Sequence, residues 1–190
     1  NTYGDYISGV DTPESVTPSS AQLVRGELDP LTMRNVGLGT LLTAILLGVY
    51  PVWVGGWPVL VCGAIGFFGA LFYTTFLPYK YKGLGPPFVF FLMGPLMVLP
   101  AWYIQGAEGF WTPLLASLPV GCMVAGILHG NDLRDIGYDN SAGISTPASG
   151  LGLSGSIILY KALYVGAYLI LGALVLFKVL DYFALLPLLA

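Results

Sequence analysis

Val36-Gly-Leu-Gly-Thr-Leu-Leu-Thr-Ala-Ile-Leu-Leu-Gly-Val-Tyr-Pro-Val-Trp-Val54 runs for 19 residues without a charged side chain. A helix needs about 20 mostly apolar residues to cross a bilayer, so this stretch is long enough to be a transmembrane span. Residues 57–77, 87–104, 110–128 and about 153–177 read the same way, and another apolar run begins near Tyr182. Within these runs only Lys161 carries a charge, near one end, where its alkyl stem lets the ammonium reach the interface. Backbone polar groups find no water inside lipid, so each run is expected to be a helix. The fold class that follows is all-α: a multi-spanning transmembrane helical bundle with about five complete spans and one partial span. Glycines such as those in Gly63-Ala-Ile-Gly66-Phe-Phe-Gly69 suit close helix approach.

Composition agrees with this. The 190 residues are 56% hydrophobic and only 9% charged, with a mean hydropathy of +0.79, whereas soluble domains carry about 25% charged residues. No basic patch interleaved with aromatics is present, so nucleic acid is not an expected partner; the lipid bilayer is. Cys62 and Cys122 lie inside apolar runs with no metal-ligand spacing and read as small buried hydrophobes. The chain opens at Asn1 inside a polar motif and closes at Ala190 inside an apolar run. It therefore reads as a single domain, residues 1–190, lacking sequence at both ends.

Successive spans send alternate loops to opposite faces. Residues 1–35, 78–86 and 129–152 are long and polar, while 55–56, 105–109 and 178–181 are short. The long loops share one face, which carries Arg25, Arg34, Lys80, Lys82 and Arg134 against Lys178 on the other. The excess of basic residues makes that face cytoplasmic, and the protein an integral, multi-pass one, expected in the inner (plasma) membrane of the cell.

Both concentrations of acid fall on that face. One is Asn1-Thr-Tyr-Gly-Asp5-Tyr-Ile-Ser-Gly-Val-Asp11, the other His129-Gly-Asn131-Asp132-Leu-Arg134-Asp135-Ile-Gly-Tyr-Asp139. Asn131, Asp135 and Asp139 recur every four residues and would share one side of a helix, as would Asn1 and Asp5. Gly9 is expected to end the first helix and turn Asp11 back toward Asp5. Carboxylate and amide oxygens are hard ligands suited to Mg²⁺, which binds through a few carboxylates and substrate phosphates. Lys80, Lys82 and Arg134 could neutralise the remaining phosphate charge, and apolar helices could hold a hydrocarbon tail. The pattern describes an enzyme acting on a lipid diphosphate. Asp29, Glu14 and Glu27 read as solvated loop acids, Glu108 and Asp181 lie on the opposite face, and His129 is expected to end its helix through a hydrogen bond.

The chain resembles the UbiA superfamily of membrane prenyltransferases. Its first motif, Asn-x-x-x-Asp with a further Asp, matches Asn1, Asp5 and Asp11, and its second, Asp-x-x-x-Asp, matches Asp135 and Asp139 preceded by Asn131. The stretches Lys80-Tyr-Lys-Gly-Leu-Gly85, Phe91-Leu-Met-Gly-Pro95 and Ile127-Leu-His-Gly-Asn-Asp-Leu-Arg-Asp135 look most like the menaquinone-biosynthesis branch. The resemblance implies a bundle of about nine spans around a central cavity. It implies Mg²⁺-dependent transfer of a polyprenyl group from polyprenyl diphosphate, through an allylic cation, to an aromatic acceptor. In that branch the acceptor is 1,4-dihydroxy-2-naphthoate, which loses its carboxylate. Carried over by position, Asp5, Asp11, Asp135 and Asp139 are the catalytic, metal-holding acids. Asn1, Lys80, Lys82, Asn131 and Arg134 bind diphosphate, with Tyr3, Tyr73 and Tyr138 as rings able to face the cation. Many relatives carry a basic residue where this chain has Asn140, and another within the stretch corresponding to residues 146–150. Other acceptors of the superfamily are 4-hydroxybenzoate, homogentisate, a chlorophyll precursor and a glycerol phosphate. A cation transporter would instead place ionisable groups near mid-bilayer, where these spans have almost none.

Overall fold

The computed structural model describes residues 2–7, 9, 11–13, 21–72, 83–141 and 143–189. Two short helices, α1 (Thr2–Ile7) and α2 (Ala21–Val24), lead into α3 (Pro30–Phe72). Asp29 starts α3 by accepting the Thr32 N–H at 2.9 Å, with Pro30 at the first helical position, where its missing N–H has no partner to lose. At 43 residues and about 1.5 Å per residue, α3 is roughly twice as long as a bilayer core is thick. It divides at Gly56, whose φ of +66° and ψ of −153° fall in a region that essentially only glycine occupies. The apolar run 36–54 and residues 57–72 of the next run thus share one element in two parts.

The later part of α3 lies antiparallel to the next two helices, α4 (Gly85–Met93) and α5 (Pro95–Ile104). A Cβ on Gly55 would stand 2.7 Å from Ile104 Cγ2, whereas one on Gly69 would stand 3.1 Å from Leu92 Cδ1 and 3.2 Å from Phe88 Cζ. α4 and α5 form one spanning unit of 20 residues jointed at Gly94 (φ −96°, ψ −100°). Pro95 follows the joint, cannot donate, and disfavours helical geometry in the residue before it.

Helix α6 (Trp111–Arg134) is the centre of the assembly, packed on α4 and α5 and most extensively on α8 (Pro147–Leu176). Gly126 and Gly130 leave a notch on α6 into which Tyr164 and Tyr160 of α8 fit; Cβ atoms there would lie 2.8 and 3.0 Å from the two rings. The rings themselves stand 4.9 Å apart. α8 begins with a capping box: the Ser149 N–H donates to Thr146 Oγ1 at 3.2 Å, and the Thr146 N–H donates to Ser149 Oγ at 2.9 Å. Like α3 it breaks at a glycine, Gly152 (φ +67°, ψ 176°). Short α7 (Ile136–Ser141) joins α6 toward α8, and a 3₁₀ helix, Tyr182–Leu189, occupies the last apolar run.

Among the described residues, four helical units are long and apolar enough to cross a membrane: α3, α4 with α5, α6 and α8. The protein is an all-α integral membrane protein. Trp53, Tyr50 and Leu47 of α3 are 86%, 74% and 72% exposed, an apolar surface suited to lipid rather than to water. The loops alternate as expected where they can be followed. Pro58 and Val59, just past Gly56, meet Ala107, Glu108 and Gly109 around a cavity of about 530 Å³, and at the opposite end Gly83 approaches Thr146 and Pro147.

Candidate functional site

Asp5 sits in α1 and is 5% exposed. The helix stops where Gly9, at φ +73°, donates its N–H to the Tyr6 carbonyl at 3.1 Å, and the chain reverses so that the Asp11 N–H donates to the Asp5 carbonyl at 3.3 Å. The turn expected at Gly9 is present and brings the two aspartates of the first motif together through their backbones. Asp11 and Tyr3 are half-buried.

The second motif straddles the junction of α6 and α7. Asp135 leaves ideal helical geometry (φ −94°, ψ 6°). Even so, its N–H donates to the Asn131 carbonyl at 3.0 Å and its own carbonyl accepts the Asp139 N–H at 2.9 Å. The four-residue hydrogen-bond spacing therefore survives the junction, and with it the ordering of Asn131, Asp135 and Asp139 one turn apart. Asp139 is 8% exposed. Its carbonyl accepts the Ile144 N–H at 2.8 Å, which returns the chain toward α8. Tyr138 is half-buried and Asn131 exposed.

Arg134, expected to meet phosphate, is engaged by its neighbour. Nε donates to Asp135 Oδ1 at 2.8 Å and Nη2 to Asp135 Oδ2 at 2.7 Å, a two-point guanidinium–carboxylate contact at a partly exposed position. Asn1, Tyr73, Lys80 and Lys82 lie outside the described residues. Three of the other acids serve local structure: Asp29 caps α3, Asp181 accepts the Phe183 N–H at 3.1 Å, and Glu27 pairs loosely with Arg25 at 4.0 Å.

His129 differs from expectation. It does not end its helix; it is fully buried on the face of α6 turned to α8, with Nε2 3.1 Å from the Ser156 carbonyl oxygen. Sequence reading missed Ser156, Tyr160 and Tyr164 as its surroundings, although the Gly126-x-x-x-Gly130 spacing is a signal for such a close helix seam. Cys62 and Cys122 are half-buried rather than buried, and Cys62 lines the cavity near Gly56.

The metal question turns on donor chemistry. Among the described residues no three acidic, histidine or cysteine side chains gather closely enough to grip one ion. α1 makes its main contact with α3, without a comparably extensive one to α6 or α7. Each motif nevertheless offers a buried carboxylate with a second one nearby in the chain. Mg²⁺ usually binds through one or two carboxylates and completes its shell with water and phosphate oxygens, and that donor set fits these residues. Apolar space adjoins both ends of the later part of α3: a cavity of about 400 Å³ lined by Ile65, Phe68, Phe72 and Phe88, and the larger one lined by Val59, Leu99, Trp102 and Phe110.

A model of the UbiA prenyltransferase family matches residues 1–190. The chain is 34% identical over 170 residues to 1,4-dihydroxy-2-naphthoate octaprenyltransferase of Bacillus subtilis (strain 168), covering 89% of this chain and 54% of that protein. It is 31% identical over 179 residues to UbiA prenyltransferase domain-containing protein 1 of Homo sapiens, covering 92% and 52%. To the Gallus gallus protein of the same name it is 33% identical over 176 residues, covering 90% and 51%. The chain spans about half the length of these relatives.

Proposed function

This chain belongs to the UbiA prenyltransferase family, and from that premise we propose that it transfers a polyprenyl group from polyprenyl diphosphate to 1,4-dihydroxy-2-naphthoate, a step of menaquinone formation. One observation carries the chemistry: in a protein with so few charges, Asp5 and Asp139 are buried to 5% and 8% exposure in the two motifs. Carboxylates set back from bulk water, each with a second acid nearby in the chain, are hard oxygen donors of the kind Mg²⁺ takes when phosphate oxygens complete its shell. The relative in Bacillus subtilis supports the choice of acceptor.

On this reading Asp5 and Asp11 hold one flank of the diphosphate site and Asn131, Asp135 and Asp139 the other, on the cytoplasmic face. These acids would hold magnesium, which when bound would compensate the charge that develops as the diphosphate leaves. Lys80, Lys82 and Arg134 add positive charge around the phosphates. The allylic carbon–oxygen bond breaks with its electron pair on the diphosphate. The acceptor carbon that bears the carboxylate then forms the new carbon–carbon bond, and that carboxylate departs as carbon dioxide. The aliphatic and aromatic lining along the later part of α3 suits the tail and keeps water from the cation.

The test is prenyl transfer by the full protein in membranes, with labelled polyprenyl diphosphate, Mg²⁺ and a panel of aromatic acceptors. The expected result is prenylation of the naphthoate, abolished by EDTA and restored by Mg²⁺. Asp5→Ala and Asp135→Ala should each lower kcat by about a hundredfold or more, the scale of losing a charge-stabilising group. Normal turnover in both variants would sink the acid-site assignment, and transfer to 4-hydroxybenzoate alone would keep the class and reject the acceptor.

A further inference from the structure

His129, Ser156 and Ala148 are each fully buried and joined in series. Nε2 of His129 lies 3.1 Å from the Ser156 carbonyl. A carbonyl only accepts, so Nε2 carries the proton and Nδ1 does not donate in the neutral ring. The Ser156 hydroxyl donates in turn to the Ala148 carbonyl at 3.3 Å. That second bond reaches across eight residues, over the break at Gly152. One histidine on α6 thereby ties itself to α8 after the break, and through Ser156 to the segment before it.

The seam around this chain of bonds is tight and antiparallel. Gly126 and Gly130, which flank His129 on the same face of α6, receive Tyr164 and Tyr160. Nothing in the seam can move without shifting a ring or a backbone. Successive helical residues turn by about 100°, so Asn131, two positions past His129, points roughly 200° away. Asn131 is accordingly exposed while His129 is buried. From its own side of the helix the imidazole cannot touch a ligand bound by Asn131 or Asp135. It can set where their shared backbone stands.

We infer that His129 is a positioning residue: its bond to Ser156 fixes the final turns of α6 against both parts of α8, and so sets the placement of Asn131, Asp135 and Asp139 toward diphosphate. This rests on the prenyltransferase reading above. Nδ1, buried and with no hydrogen-bonding partner among the described residues, fits a ring kept for what Nε2 holds. A bare acceptor is a cost that packing alone would remove by replacing the histidine with an apolar residue.

The test compares the full wild-type protein with His129→Ala, His129→Gln and Ser156→Ala, measuring kcat, KM for polyprenyl diphosphate, KM for the acceptor and Tm. His129→Ala is expected to raise the diphosphate KM about tenfold and lower kcat about tenfold, the order expected when a binding group shifts by a fraction of an ångström. The acceptor KM should stay within about twofold of wild type, because the proposed placement acts on the groups assigned to diphosphate. Glutamine can still donate to the Ser156 carbonyl, so His129→Gln should recover most of both losses. Ser156→Ala keeps the carbonyl but loses the bond across the break, and should show a smaller rise in the same KM; it decides the matter if His129→Ala does not fold. Equal impairment in His129→Gln and His129→Ala, or a fall in Tm with unchanged kinetic constants, would overturn the inference. A wild-type protein inactive with every acceptor would instead reject the prenyltransferase reading and this inference with it. An active wild type whose variants keep normal constants would reject this inference alone.

Discussion

Arg134 and Asp135 are adjacent in sequence and bound to each other at 2.8 and 2.7 Å, so the strongest cation of the second motif is engaged before any phosphate arrives. An exposed ion pair contributes about 1 kcal/mol or less, small enough for a diphosphate with several charged oxygens to replace. Lysine keeps the charge and loses the fork. Arg134→Lys should therefore raise the KM for polyprenyl diphosphate about three- to tenfold, and Arg134→Ala more, with Tm nearly unchanged because the pair is surface-placed. Steady-state kinetics at fixed Mg²⁺ would check this, and an unaltered KM in Arg134→Ala would remove Arg134 from the diphosphate contacts. At this scale the residue types were legible because charge is so scarce: Asp5, Asp11, Asp135 and Asp139 stand out by contrast with their surroundings. The partners were not legible. Ser156 lies 27 residues from His129, and no local spacing announces a bond that depends on how two distant helices are set.

Helix α6 owes its place to what it lacks at Gly126 and Gly130. In lipid there is little hydrophobic gain from pressing helices together, so close van der Waals fit and interhelical hydrogen bonds decide the pairing. Tyr160 and Tyr164 occupy the space that side chains would fill. Gly126→Leu should force the seam open and cost about 1–3 kcal/mol, the usual range for overpacking. The expected readout is a clear fall in Tm in detergent, accompanied by loss of the His129 contact; a variant as stable as wild type would show that the seam is loose. The helices themselves were readable from the apolar runs, since length and absence of charge suffice. The 55–56 connection and the start of the last full run near 153 also marked the breaks, which fall at Gly56 and Gly152 with positive φ; what the sequence did not show is that the helix resumes at once on both sides of each glycine. The second motif shows the same limit from the opposite direction: the four-residue spacing was right, yet it is carried across a helix junction at Asp135 rather than along one straight helix.

For the whole molecule, the number of membrane crossings decides whether the two acidic motifs can meet. If α3 crossed once, three crossings would separate α1 from α7 and the aspartates would lie on opposite sides of the membrane. If α3, divided at Gly56, crosses twice, then with α4–α5 and α6 the total is four, and both motifs return to one face. The length of α3, its glycine break and the antiparallel run of its later part beside α4 and α5 all favour two crossings. Accessibility of single cysteines, with Cys62 and Cys122 first replaced by Ala, puts the count to a direct test. Gln22, Glu108 and Asn140 are exposed connecting or terminal-turn positions. A membrane-impermeant maleimide should reach Gln22→Cys and Asn140→Cys from the same side, the cytoplasmic one by the distribution of Arg25, Arg34 and Arg134 against Lys178. Glu108→Cys, separated from Asn140 by α6 alone, should react only from the other. Labelling of Gln22→Cys from the side of Glu108→Cys would mean that α3 crosses once, and would leave Asp5 a full bilayer away from Asp139, beyond the reach of any shared diphosphate.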